Sequence, residues 1–358
     1  MTVLMTGFTG FLGSALLPRI LNRTGGEAVC LVQAKYATLA EERIDELVAA
    51  DGSLEGRITH IEGDITAPGL GVHEGVLDDV TEAWHLAAVY DLAVGRAQAV
   101  RVNVDGTRNV LDALEHCPKL ERLHYFSTCY VSGRYAGPFS EDDLDVGAPF
   151  NNFYEETKHL AEVEVRQRMA AGLPATIYRP SIVVGDSHTG ETNKYDGPYF
   201  IMQWLLRQPK LAVVPMTGDP TTTRVNVVPR DFVVAAVAHL SGHPNAKGRT
   251  YQVADPHPLT VDAMTEVLGE ATSRKLIKVQ LPKRLAKDAI AHVPGVYQLM
   301  RIPAAAVDYF AHPTYYLTDH LREDLAGSGI EPPAFPTYVE HLVAFMKGHP
   351  EIGSAAMT

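Results

Sequence analysis

The sequence predicts a doubly wound, Rossmann-type α/β fold of about seven parallel strands with a smaller C-terminal substrate-binding lobe, and three observations predict it. Short apolar or β-branched runs recur along the chain with helical patterns between them. Several runs, among them Val3 to Met5, Ala28 to Val32 and Ala175 to Tyr178, are continuous rather than alternating, as in strands buried on both faces of a parallel sheet. Three glycines, Gly7, Gly10 and Gly13, stand directly after the first run and before a helical pattern.

Taken in order, the strand segments are Val3 to Met5, Ala28 to Val32, Thr59 to Glu62, Ala83 to Ala87, Leu123 to Phe126, Ala175 to Tyr178 and Tyr251 to Val253. Helical patterns lie between them at Ser14 to Asn22, Val104 to Leu114 and Tyr154 to Met169, the last stopped by Gly172 and Pro174. Pro18 falls inside the first helix, where it removes a backbone hydrogen bond, and the sequence offers no reason for it. Beyond residue 180 glycine and proline rise through GDSHTGETNKYDGPY and PMTGDPTTT, the texture of binding loops. From Pro256 onward the chain reads mainly as helices broken at Pro282, Pro294, Pro303 and Pro313. The expected division is a nucleotide-binding sheet domain over 1–180, with 224–255 returning to it, and a lobe made of 181–223 and 256–358.

A chain of 358 residues, 46% hydrophobic and 21% charged, has ample material for a core and is not a disordered polymer. Its formal charge of −12 opposes nonspecific attraction to nucleic acid. Cys30, Cys117 and Cys129 are an odd number without CxxC spacing, which argues against a disulfide framework or a cysteine zinc site and for a cytoplasmic home. The N-terminal run MTVLMTGFTGFLGSALL lacks a leading Lys or Arg and is interrupted by glycines, so it reads as strand and turn rather than a leader. Nor is there a stretch of about 18 uninterrupted apolar residues to span a membrane.

Strand, glycine turn and helix together make a dinucleotide site. Glycines let the backbone turn tightly and approach a pyrophosphate at a helix N-terminus. The second strand ends at Gln33, Ala34 and Lys35, where a carboxylate would receive the ribose 2'-hydroxyl of NAD. None is present, and Lys35 with Gln33 could meet a 2'-phosphate, so NADP(H) is favoured and NAD(H) is possible. Lys35 as a solvated surface cation is the competing reading. Asp64 closes the third strand, placed either to hydrogen-bond the adenine amino group or to cap a turn.

Tyr154 and Lys158 stand four residues apart in NNFYEETKHLAE, on one helix face. A nearby ammonium would lower the phenol's pKa toward a range useful for proton transfer. Upstream, LHYFSTCYVSG brings Thr128 to the carboxyl end of a strand, where ligands collect in open α/β sheets. Further back VNVDGTRNVL carries Asn103 and Gly106, read as the opening of a helix.

These elements resemble the extended short-chain dehydrogenase/reductase superfamily: TGFTGFLG, GD at Gly63 and Asp64, HLAA at His85 to Ala88, NVDGTRN from Asn103, FST before Thr128, and YxxxK, in the expected order over roughly residues 1 to 260. HLAAVYDL, YRPSIVVGDSHTGE, DGPY and VNVVPRDFV are most similar to the fatty acyl-CoA reductase and thioester reductase branch. The resemblance implies a cofactor site of Gly7, Thr9, Gly10, Phe11, Leu12, Gly13, Gln33, Lys35, Asp64, Ile65, Leu86, Ala87, Ala88 and Lys158, closed over the nicotinamide by Pro180, Ser181 and Ile182. It implies that Tyr154 exchanges a proton with the substrate oxygen, that Lys158 lowers its pKa and binds the nicotinamide ribose, that Thr128 hydrogen-bonds the same oxygen, and that Asn103 supports a proton relay. Relatives usually carry arginine at the position of Gln33, a departure that bears on cofactor choice.

The implied substrate is a small apolar acyl group or aldehyde, carried as a CoA or carrier thioester. Alternatives on the same scaffold are a secondary-alcohol or hydroxysteroid dehydrogenase, a sugar-nucleotide epimerase or dehydratase, and a non-catalytic dinucleotide sensor. His239 and His243 read as a histidine pair at a helix C-terminus rather than a metal site, His85 as packing, and the run from Ser140 to Asp145 as a solvated loop. The segment from Leu281 to Tyr316 mixes apolar residues with Lys283, Arg284, Lys287 and Arg301. It reads either as a cover over an apolar channel or a peripheral membrane contact, or as an ordinary pair of helices packed on the sheet.

Overall fold

The computed structural model describes residues 1–91, 93–282 and 304–353, and the side chains of 304–306 are not described. Its centre is a sheet built from β1 (Thr2–Thr6), β2 (Glu27–Val32), β3 (Ile58–Glu62), β4 (Val80–His85), β5 (Arg122–Phe126), β7 (Ala175–Pro180) and β11 (Thr250–Val253), in the order β3-β2-β1-β4-β5-β7-β11. Every pairing in it is parallel. The order reverses between β1 and β4, and the crevice at the carboxyl ends of strands flanking such a point is where ligands bind in open α/β sheets.

Both faces of the sheet are covered, which is why its strands read as unbroken apolar runs. Val3 and Met5 of β1 face a core shared with Leu16, Leu17 and Ile20 of α1 (Gly13–Thr24) and Phe232 and Val237 of α7 (Arg230–Ser241). Leu4, pointing the other way, joins Val110 and Leu111 of α4 (Gly106–Glu115) and Ala161 and Val165 of α5 (Phe153–Ala170). The α1 helix runs through Pro18, as the periodicity expects.

One expectation needs correction and another needs an addition. The helix before β5 does not open at Asn103 or Gly106: α3 (Arg96–Ala99) leads into a wide π-type turn, Val100–Asp105, that continues into α4 without a break. Asn103 therefore lies mid-helix, in a widened turn of a kind that concentrates at functional sites. The C-terminal part, mainly helical among the described residues as expected, also carries two strands that the sequence reading did not place. β12 (Lys275–Gln280) pairs in parallel with β9 (Leu211–Met216), and β13 (Thr314–Tyr316) with β6 (Gly137–Phe139). Both new strands owe their state to partners more than 60 residues away, which local periodicity does not report.

β8 (Ile182–Val184) leaves β7 and pairs with β10 (Val227–Pro229). Beside this corner, α6 (Pro198–Arg207), β9, α8 (Val261–Ala271) and α10 (Val339–Gly348) share an apolar core of Tyr199, Met202, Leu205, Val214, Met264, Leu268, Leu342 and Val343. The α2 helix (Ala37–Ala50) lies against β3, and the short α9 (Asp319–Asp324) against β11. The greater part of the basic and apolar segment, 283–303, lies outside the described residues. No helix among the described residues is long and apolar enough to cross a membrane.

Candidate active site

The glycine turn sits between β1 and α1. Gly7 has φ +76°, and a Cβ built there would lie 2.7 Å from the Ala87 nitrogen, so the turn packs directly on the end of β4. The Gly10 nitrogen donates to the Gly7 carbonyl at 3.1 Å, and a Cβ at Gly13 would lie 2.3 Å from that same oxygen. At Gly10 a Cβ would meet no other neighbour within 4 Å, leaving its outer side open. Backbone and helix N-terminus thus face one concavity.

An outer cavity of about 470 Å³ begins at this turn. Of the expected cofactor residues it is lined by Gly7, Thr9, Gly10, Gln33, Lys35, Asp64, Ile65, Leu86, Ala87 and Ala88. Tyr36, Gln98 and Arg101 line it too, residues that no motif singled out. Gln33 donates through Nε2 to Asp64 Oδ2 at 2.9 Å, while Oδ1 accepts from the Thr66 nitrogen at 2.8 Å. Lys35 Nζ lies 4.8 Å from the Tyr36 ring centre.

An inner cavity of about 290 Å³ shares Gly7, Gly10, Leu86 and Ala88 with the outer one. Phe11, Leu12, Gly13, Thr128, Tyr154, Lys158, Pro180, Ser181 and Ile182 all line it. Thr128 stands in extended backbone at the end of β5, capping a short turn over Cys129–Ser132. Asn152 caps α5, its Oδ1 accepting from the Glu155 nitrogen at 3.0 Å, which sets Tyr154 in the first turn and Lys158 one turn on. The Thr128 hydroxyl, which accepts from the Tyr130 nitrogen at 3.3 Å and donates to the Pro180 carbonyl at 3.5 Å, lines the same cavity as the Tyr154 phenol.

The electrostatics differ from the expectation. Burial pushes the Tyr154 phenol above its ordinary range, and the nearby Thr128 hydroxyl only partly offsets this. Lys158 does not counter it, because its Nζ points to the sheet, donating to the Phe126 carbonyl at 2.6 Å and the Tyr125 hydroxyl at 3.0 Å. Burial brings the Lys158 ammonium down to about 7, with the Glu162 carboxylate working the other way. The protein alone therefore keeps Tyr154 protonated.

Asn103 is buried and fully engaged. Its Oδ1 accepts from the Val89 nitrogen at 2.9 Å, and its Nδ2 donates to the Val89 carbonyl at 3.3 Å and to Thr157 Oγ1 at 3.0 Å. His85 is packing of a polar kind: buried, it bridges Thr6 Oγ1 at 2.7 Å and Thr107 Oγ1 at 3.1 Å.

The remaining inner wall is aromatic. Tyr130, Phe200, Tyr309 and Phe310 line it, and the edge of Tyr90 meets the Tyr154 ring with centres 5.0 Å apart. Lys194 Nζ lies 4.1 Å from the Tyr90 ring centre and 3.2 Å from Asp196 Oδ2. Sequence reasoning missed Lys194, Asp196, Tyr309 and Phe310; only the loop-like texture around DGPY hinted at the first two. Among the described residues no group of three His, Cys, Asp or Glu side chains could hold a metal ion.

A dinucleotide fits the residues present. On the inner cavity that Gly10 also lines, Ser181 is 6% exposed and its Oγ has no hydrogen-bond partner among the described residues, a donor that a ligand would satisfy.

The fold and this site define an NAD-binding protein of the Rossmann type. Comparison with known proteins agrees: the family described as Male sterility protein matches residues 5–237, and the chain belongs to it. The aldehyde reductase lnbA of Aspergillus flavus is 25% identical over 76% of this chain, and the fatty acyl-CoA reductase wat of Drosophila melanogaster is 27% identical over 66%. The chain spans only 29% and 53% of those two proteins. In fold it is similar to the terminal R domain from the myxalamid PKS-NRPS biosynthetic pathway, with a TM-score of 0.83 at 24% identity, covering 98% of this chain and 91% of that one.

Proposed function

We propose that this chain reduces the carbonyl of an apolar acyl thioester, of an aldehyde, or of both in succession, with NADP(H) preferred to NAD(H). The observation that carries the reading is that Thr128 and Tyr154 line one cavity with the glycine turn, Lys158 and Ser181. Two hydroxyls on one wall can both donate to a carbonyl oxygen, stabilising the negative charge that develops there. A bound nicotinamide dinucleotide supplies the hydride.

In this reading Tyr154 is the acid. Its phenol, kept protonated by burial, gives its proton to the oxygen as the carbonyl carbon gains hydride, which suits reduction. With a thioester the carbon–sulfur bond then breaks, and the products are an aldehyde and a thiol. A second hydride and proton convert the aldehyde to an alcohol. Thr128 holds the oxygen, Lys158 binds the nicotinamide ribose, and Ser181 donates its unused hydroxyl to the cofactor. Asn103 acts by position, fastening the Val89 backbone to α5 through Thr157, since its amide is already spent.

The aromatic wall of Tyr90, Tyr130, Phe200, Tyr309 and Phe310 suits an apolar acyl group better than a sugar. Turnover of acyl-CoA, aldehyde and secondary-alcohol panels, measured with both cofactors, tests the proposal. NADPH oxidation with acyl-CoA or apolar aldehydes supports it. Turnover confined to cyclic alcohols makes the chain a dehydrogenase of a different substrate class.

A further inference from the structure

Beneath the reactive groups lies a buried carboxylate that the chemistry above does not use. Glu162 is one helical turn past Lys158 on α5 and wholly buried. Its Oε2 accepts from Ser127 Oγ at 2.5 Å. Arg179 Nη2 donates to Oε1 at 2.6 Å, with Arg179 Nε 3.1 Å from both oxygens, and Arg166 Nε reaches Oε1 at 3.1 Å. Arg179 is itself buried and also donates to the Asp143 carbonyl at 2.7 Å.

Ser127, Arg179 and Glu162 itself each adjoin a different part of the site. Ser127 precedes Thr128, Arg179 precedes Pro180, Ser181 and Ile182, and Glu162 shares its helix with Tyr154 and Lys158. An error of about 1 Å between such parts costs on the order of a hundredfold in rate. Burial opposes the charge on Glu162, but Arg179, then Arg166 and Ser127, outweigh it and hold the carboxyl below its ordinary range.

We propose that Glu162 is a positioning residue for this site, tying the Thr128 strand end, the Pro180–Ile182 segment and the Lys158 helix to one carboxylate and supplying the negative charge that faces Lys158. The other titratable groups about Lys158 are His85 of β4, Tyr125 of β5 and Tyr154 of α5, none of them anionic in the neutral range. The proposal rests on the reductase reading for its effect on rate and not for its effect on Lys158.

Two variants test it. In Glu162→Gln, the pH midpoint for labelling of Lys158 by a small amine-reactive reagent, read by mass spectrometry, should fall by about half a pH unit or more, because the free amine is no longer opposed by a carboxylate. Ser127→Ala leaves the ion pair whole and cuts only the link to Thr128. It should lower kcat by about tenfold while the affinity for NADPH, read by fluorescence, stays within about twofold. An unmoved midpoint in a folded Glu162→Gln protein overturns the proposal, as does wild-type kcat in Ser127→Ala. Should Glu162→Gln fail to fold because Arg179 is left unpaired, Ser127→Ala decides alone. If the wild type turns over no carbonyl substrate the reductase reading fails, and the labelling midpoint still decides for or against Glu162.

Discussion

Gln33 donates to Asp64 across 2.9 Å, joining the end of β2 to the end of β3 at the edge of the outer cavity. The amide that the sequence offers to a cofactor phosphate is thus already engaged, and so is the carboxylate offered to an adenine. Of the two residues proposed to read the 2'-phosphate, Lys35 is the one that brings charge to this rim.

Cofactor preference should accordingly be real and modest. The kcat/KM with NADPH should exceed that with NADH, Lys35→Ala should lower the ratio by about tenfold, and Gln33→Arg should raise it by a similar factor through a bidentate phosphate contact. Steady-state kinetics with both cofactors check this. Equal efficiencies in the wild type, or a ratio indifferent to Lys35→Ala, would contradict it.

Removing only the phenolic oxygen of Tyr154 should spare the fold and the cofactor site. Tyr154→Phe should lower kcat by about a thousandfold, the scale of a lost general acid, with NADPH affinity within about twofold. A purified variant turning over at the wild-type rate would remove Tyr154 from the reaction.

Acid should unfold the protein in part through His85. Burial, reinforced by the charge of Lys158, pushes this imidazole down to about 3 from its ordinary 6.5. The folded chain keeps it neutral while the unfolded chain protonates it, so stability is full above pH 6.5 and is lost as pH falls from there toward 3. The loss is on the order of a few kcal/mol. Urea unfolding between pH 7 and 4 should show it, and His85→Asn should flatten that dependence. A variant with the wild-type pH slope would place the acid sensitivity elsewhere.

Much of the fold was legible because its signals are local. The glycine turn, the continuous apolar strands and the Tyr154–Lys158 spacing each depend on residues within one element or its neighbour, and the central strands appear where the runs predict them. What was not legible is long-range. β12 and β13 exist through pairing with β9 and β6, and the widened turn at Asn103 through its hold on Val89 and Thr157. The Glu162–Arg179 pair spans 17 residues and two elements, so no periodicity marks it. The direction of the Tyr154 shift was missed for a related reason. Helical spacing put Lys158 on the right face, but the partners that turn its ammonium away, Tyr125 and the Phe126 carbonyl, belong to a strand.

The reductase reading is tested most directly by counting thiol against cofactor. With an apolar acyl-CoA and NADPH, free thiol should appear in step with NADPH oxidation, one thiol per hydride when the aldehyde accumulates and one per two when it is reduced further. Across a homologous series kcat/KM should vary by up to about 0.8 kcal/mol per buried methylene. Brisk turnover of cyclic or secondary alcohols, with no thiol released from any acyl-CoA and no reduction of aldehydes, would contradict the account.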